Sequence, residues 1–215
     1  MNSDQLLVET SRALRDLPSI AFTDLAPNTT LVIIDMLKGF TEWGALASPR
    51  IMAMSKPIGK LAAKFAEAGY RIAAFTDQHH ADSAEFQDFP EHCLEGTREA
   101  ELINELTDLN IEIIRKNCTN GLVVPGVWEK LTVPLGPDDL PTFVVVGCCT
   151  DICIFLMSVT LKAKMNQENI AGRVIVPTAL VDTYDAPGHN AEAVNQMALY
   201  LMQVNGVELV KDILI

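Results

Sequence analysis

The chain has 215 residues, 49% hydrophobic and 20% charged, with 12 Gly and 11 Pro. This composition excludes long disorder and collagen-like repeats. The 28 acidic residues outweigh the 16 basic ones, for a formal charge of −12, and a net negative field disfavours nucleic acid and anionic membrane surfaces as partners. No apolar run approaches the ~20 residues needed to span a bilayer. The opening stretch MNSDQLLVETSRALRDL lacks the apolar centre of a secretory signal. The expectation is a cytoplasmic protein with one domain over residues 1–215.

Residues 4–14 read as an extra N-terminal helix within the first 25 residues. The apolar, β-branched runs at 30–34, 71–75, 111–114, 143–146 and 173–176 are continuous rather than alternating. Such runs suit strands buried on both faces of a parallel sheet. Between the first two lies an amphipathic stretch, 48–68. Ser48 is its expected N-cap, Pro49 its first helical residue, and Gly69 its stop. Pro57 falls inside that stretch and predicts a kink or break. Residues 151–163 and 191–204 also carry helical periodicity. Strands alternating with helices predict an α/β protein: a three-layer α/β/α sandwich around a mostly parallel, doubly wound sheet. The least regular region, 78–97, holds most of the polar chemistry, and long loops in compact domains are usually functional.

In such folds ligands bind beyond the carboxyl ends of the strands. That rule selects Asp35 after the first strand and Asp77, His79 and His80 after the second. It selects Lys116 after the third, and Cys148 to Cys153 after the fourth. The stretch VVVGCCTDICIFL reads as strand, turn, helix. Thr150 or Asp151 would cap the helix and place Cys153 in its first turn, where the helix dipole favours thiolate over thiol. Asp35, at the end of a buried strand, is partly desolvated and suits a proton acceptor. Lys116 could hold that carboxylate and an anionic transition state. Asp77 and His79, two apart on an extended segment, share a side. With Glu85 and His92 they form a mixed nitrogen and oxygen donor set. That set suits zinc, with manganese or iron(II) as alternatives. His80 points away from His79, and His189 sits near a helix start as a structural group. Five cysteines, an odd count, argue against a disulfide framework. Their clustering leaves a redox role open beside a hydrolytic one.

Asp35 and Phe40 in IIDMLKGF, Asp77-x-His79 followed by FPEHCLEGTREAEL, Lys116, and GCCTDIC ending in Cys153 together resemble the isochorismatase-like cysteine hydrolases. The loop is most similar to that of nicotinamidases, and the resemblance spans roughly residues 29–180. It implies a triad with Cys153 as nucleophile, Asp35 as general acid and base, and Lys116 as the electrostatic member. It also implies a cis peptide at Cys148–Cys149, with the N–H groups of Cys149 and Cys153 as an oxyanion hole. Asp77, His79 and His92 would hold a divalent metal, with Glu85 at a position some members fill with Glu. Phe40 and Phe89 would be aromatic walls around a planar ring. The activity implied is amide hydrolysis through a thioester, nicotinamide to nicotinate and ammonia, by a homo-oligomer acting on a small molecule. An N-carbamoyl amine is the alternative substrate.

Overall fold

The computed structural model describes residues 11–132 and 140–215. Residues 11–15 are helical; the earlier part of the expected N-terminal helix lies outside the described residues. The helix does not fill the first 25 residues, because Ile20–Ala21 (β1) pairs in parallel with Ile213–Leu214 (β9).

Among the described residues the main sheet contains seven strands. In chain order they are β2 (Thr29–Ile34), β3 (Arg71–Asp77), β4 (Glu112–Lys116), β5 (Thr142–Cys148), β6 (Arg173–Pro177), β7 (Val181–Asp182) and β8 (Glu208–Val210). The spatial order is β4-β3-β2-β5-β6-β8, with β7 on the end of β5. Every pairing is parallel. β2 and β5 are buried along their whole length, as continuous apolar runs require. β4 departs from that expectation: it is an edge strand, and Ile113 is 44% exposed. Its alternation has a consequence, since period two turns Ile114 and Lys116 inward while Arg115 faces solvent.

The helices are α1 (Lys38–Thr41), α2 (Pro49–Ala53), α3 (Ser55–Glu67), α4 (Val127–Thr132), α5 (Phe155–Gln167) and α6 (Ala191–Val204). Leu31 and Ile33 of β2 pack with Ile51, Ile58, Leu61 and Phe65 on one face of the sheet. Val32 and Ile34 pack with Met157, Leu161, Leu199 and Met202 on the other. Full burial of each such side chain contributes about 1.5–3 kcal/mol. Two apolar layers therefore fix the sandwich.

Two helix starts differ in detail from the sequence reading. The break in the 48–68 stretch falls at Met54 rather than Pro57. Pro57 is the third residue of α3, where a missing N–H costs little because first-turn donors have no partner inside the helix. After β5 the chain first makes a π-helical turn, Thr150–Ile154, and only then α5. Neither Thr150 nor Asp151 caps it; Ile152 and Ile154 N–H both donate to Cys149 O at 3.1 Å.

The chain runs from β2 outward to β3 and β4, then crosses to β5 on the other side of β2. The order therefore reverses between β2 and β5, the place where open α/β sheets bind ligands. Gly147 makes this junction tight. It pairs with Ile34 at φ +117°, and a Cβ there would lie 2.0 Å from Ile34 O.

Candidate active site

The ends of four parallel strands meet at this junction. Asp35 follows β2 in the left-handed region, φ +51°, sparsely populated by non-glycine residues. Its N–H donates to Phe75 O at 3.0 Å, and its Oδ1 accepts from Asp77 N–H at 3.0 Å. Asp77 ends β3 in register with Lys116 at the end of β4. Lys116 Nζ lies 2.8 Å from Asp35 Oδ2, 2.5 Å from Asp77 Oδ1 and 3.7 Å from Cys153 Sγ. All four groups are buried, and Asp35, Asp77 and Cys153 present ligand-type atoms within 4.8 Å of one another. The cation among them is Lys116. Burial alone would lower its pKa, but Asp35 and Asp77 outweigh burial and hold the ammonium charged.

The acid is tuned in the opposite sense. Burial and the neighbouring Asp77 charge raise the Asp35 carboxyl to about 7, against the pull of Lys116. Lys116 Nζ, 2.8 Å from Asp35 Oδ2, is the ion-pair partner of that oxygen. Burial pushes the Cys153 thiol well above its usual range, and Lys116 does not offset this. The helix-start thiolate expected from sequence is therefore corrected. The nucleophile candidate rests as a neutral thiol beside a carboxylate poised near neutrality. The Cys148–Cys149 peptide is cis.

On the other side of Asp77 lies the loop after β3. Asp77, His79, Glu85 and His92 place ligand atoms within 4.8 Å of one another. His79 Nε2 is 3.2 Å from His92 Nε2, 3.5 Å from Asp77 Oδ1 and 3.8 Å from Glu85 Oε1; His92 Nε2 is 3.6 Å from Asp77 Oδ2. The far nitrogens are both held by carbonyl acceptors: His79 Nδ1 by Asn117 Oδ1 at 2.9 Å, His92 Nδ1 by Pro90 O at 2.8 Å. A neutral imidazole so held keeps its proton on Nδ1 and turns its Nε2 lone pair inward. Two converging lone pairs and two carboxylates fit a divalent cation at their centre. Burial would raise the Asp77 carboxyl, but Lys116 and the two histidines outweigh it and hold it well below the usual range.

The pocket over these groups is lined by Asp35, Asp77, Glu85, His92, Cys149 and Cys153, with Phe40, Leu46, Phe89, Thr119, Ile152 and Tyr184 among its walls. Phe40 and Phe89 flank His92, with ring centroids 5.6 and 6.5 Å from it. The structure thus brings the expected triad, metal-ligand set and ring walls to one place, but not His80. His80 faces solvent beside Glu95, and Cys93 and Cys118 lie outside the pocket lining. Sequence reasoning missed Asn117, whose only signal is its place after Lys116. It also missed Leu46, Ile152 and Tyr184, which carry no local signal.

Comparison with known proteins agrees with this geometry. The isochorismatase-domain family profile matches residues 29–207. Nicotinamidase 1 of Arabidopsis thaliana is 30% identical over 217 residues, covering 85% of each chain. Among solved structures, N-carbamoylsarcosine amidase from Thermoplasma acidophilum is similar with a TM-score of 0.68 at 23% identity, over 86% of this chain and 96% of that one. The pyrazinamidase of Pyrococcus horikoshii in complex with zinc gives a TM-score of 0.69 at 21% identity, over 86% and 99%. With its sheet, its strand-end site and a profile match over most of its length, the chain belongs to the isochorismatase family.

Proposed function

We propose that this isochorismatase-family hydrolase is a cysteine amidohydrolase that converts nicotinamide to nicotinate and ammonia. One observation carries the reading. A buried carboxylate, Asp35, and a buried thiol, Cys153, line one pocket, with the fixed ammonium of Lys116 2.8 Å from the first and 3.7 Å from the second. In the ionised form, Asp35 takes the proton from Cys153, and the sulfur attacks the carboxamide carbon. The N–H groups of Cys149 and Cys153, at the opening of the π turn where helical donors lack partners, hold the developing oxyanion; one such donor is worth about 3 kcal/mol. Asp35 returns the proton to the leaving nitrogen, which departs as ammonia and leaves a thioester. Asp35 then takes a proton from water, the hydroxide adds to the thioester, and the proton goes back to the departing sulfur. Lys116 stays charged throughout and holds Asp35.

Asp77, His79, Glu85 and His92 would hold a divalent cation, zinc first. Such a cation supplies a Lewis-acid contact for a ring nitrogen. Phe40 and Phe89 would take the ring faces. The Arabidopsis relative supports nicotinamide as substrate. The outer cavity weighs against an N-carbamoyl amine that carries a carboxylate. Asp88 and Asp185 line it, and its cation, Arg50, is already bound to Asp182 at 2.8 and 3.1 Å. Cys153→Ala should abolish ammonia release from nicotinamide while leaving the melting curve in place. Turnover retained in that variant refutes the mechanism.

A further inference from the structure

Three residues outside the triad and the metal-ligand set form a connected chain. Asp151 sits in the π turn, two residues before Cys153. Its Oδ2 lies 2.9 Å from His189 Nε2, and His189 Nδ1 lies 2.8 Å from Tyr184 O. The Tyr184 ring then lies flat on the His189 imidazole, with centroids 4.1 Å apart and planes 8° apart. One histidine thus fixes both the main chain and the ring of Tyr184, and ties them to the turn that carries Cys153.

The place of that ring is informative. Tyr184 borders the inner pocket with Asp35 and Cys153, and also the outer cavity of about 610 Å³. Leu46 and Phe89 are the other residues common to both, so these three stand at the passage between them. One face of the Tyr184 ring is covered by His189, part of the side chain packs on the core, and the residue still lines both spaces. A ring anchored on one face keeps little rotamer freedom to lose when a second planar group packs against it. Aromatic pairs favour such offset or edge contacts.

We propose that Tyr184 is a third aromatic wall for the substrate ring, and that His189 is the positioning residue that locks it against the Cys153 turn. This rests on the amidase reading above. It narrows the substrate class to amides of planar rings, since a small aliphatic amide would gain nothing from the wall.

Steady-state ammonia release by the metal-loaded enzyme tests it. Tyr184→Ala and the better-filling Tyr184→Leu should raise KM for nicotinamide up to about 10-fold with kcat nearly unchanged. Tyr184→Phe should keep the wild-type KM, because the ring and not the hydroxyl does the work. His189→Ala should raise KM in the same direction by less, about 3-fold. The KM for an aliphatic amide such as acetamide should not move in any of them. An unchanged KM in Tyr184→Leu overturns the inference, as does a fall in kcat with KM constant. A Tyr184→Phe variant that behaves like Tyr184→Leu overturns it too. If the wild type releases no ammonia from nicotinamide, the amidase reading falls and takes this wall with it. An active wild type with an indifferent Tyr184→Leu removes the wall alone.

Discussion

Replacing Lys116 by Met tests the electrostatics of the site most directly. Asp35 must be ionised to accept the Cys153 proton, so kcat/KM should fall as the pH drops through about 7, the value to which burial and Asp77 raise its carboxyl. An ordinary carboxyl would place that limb near 4. Two pH units below the limb only about 1% of the acid is ionised, and the rate should be about 100-fold lower than on the plateau. Lys116, 2.8 Å from Asp35 Oδ2, is the group that pulls this value down. An opposite charge at such range typically lowers a carboxyl by about 1–3 pH units. Lys116→Met keeps the length of the side chain and removes the charge, so the limb should move to about 8 or higher. At neutral pH that alone costs at least about 5-fold, and part of it should return on going alkaline. The assay is ammonia release at low substrate between about pH 5 and about pH 10, with Asp35→Asn as the baseline. A limb that stays put, or moves towards acid, would show that Lys116 does not set the ionisation of Asp35.

Asn117→Ala removes the carbonyl that fixes the His79 tautomer at 2.9 Å. Zinc affinity in chelator competition should weaken by about 10- to 100-fold, and an unchanged affinity would deny Asn117 that role. Gly147→Ala puts a methyl 2.0 Å from Ile34 O at φ +117°, so β2 and β5 must part. A loss of more than about 4 kcal/mol is expected by urea unfolding. A loss below about 1 kcal/mol would mean the strands do not approach as closely as described.

Much of the fold was legible because its signals are local. The five apolar runs recur as β2 to β6 within a few residues, and residues 191–204 recur unchanged as α6, capped by Asn190 Oδ1 on Ala193 N–H at 2.9 Å. β8, with three residues, and β7 and β9, with two each, are too short to carry a period. They are held by the neighbours they meet. The π turn was not legible either. Its cause is the double use of Cys149 O by Ile152 and Ile154, a contest between hydrogen bonds that no residue type announces. Asp151, a sound N-cap by type, is drawn away to His189.

The site shows the same division. Strand ends picked out Asp35, Asp77, Lys116 and Cys153, since a chain that alternates strand and helix delivers its strand ends to one edge. Their protonation was harder to read. A helix start argues for a thiolate at Cys153, and so does a lysine 3.7 Å away. Both effects are modest beside the removal of water. Cys153 is 8% exposed and Asp35 1%, and desolvation is the largest influence on each. It raises the thiol and the acid together. A separated thiolate beside a neutral acid is therefore not the resting state; in the proposed mechanism the proton stays on sulfur until the carbonyl oxygen of a substrate can take up the charge. A pocket that ionised its thiol in advance would expose it to oxidants, whereas the proposed mechanism couples ionisation to attack. That coupling depends on the whole apolar shell around the pair, contributed by β2, β5 and the packed helices, and no short motif encodes it.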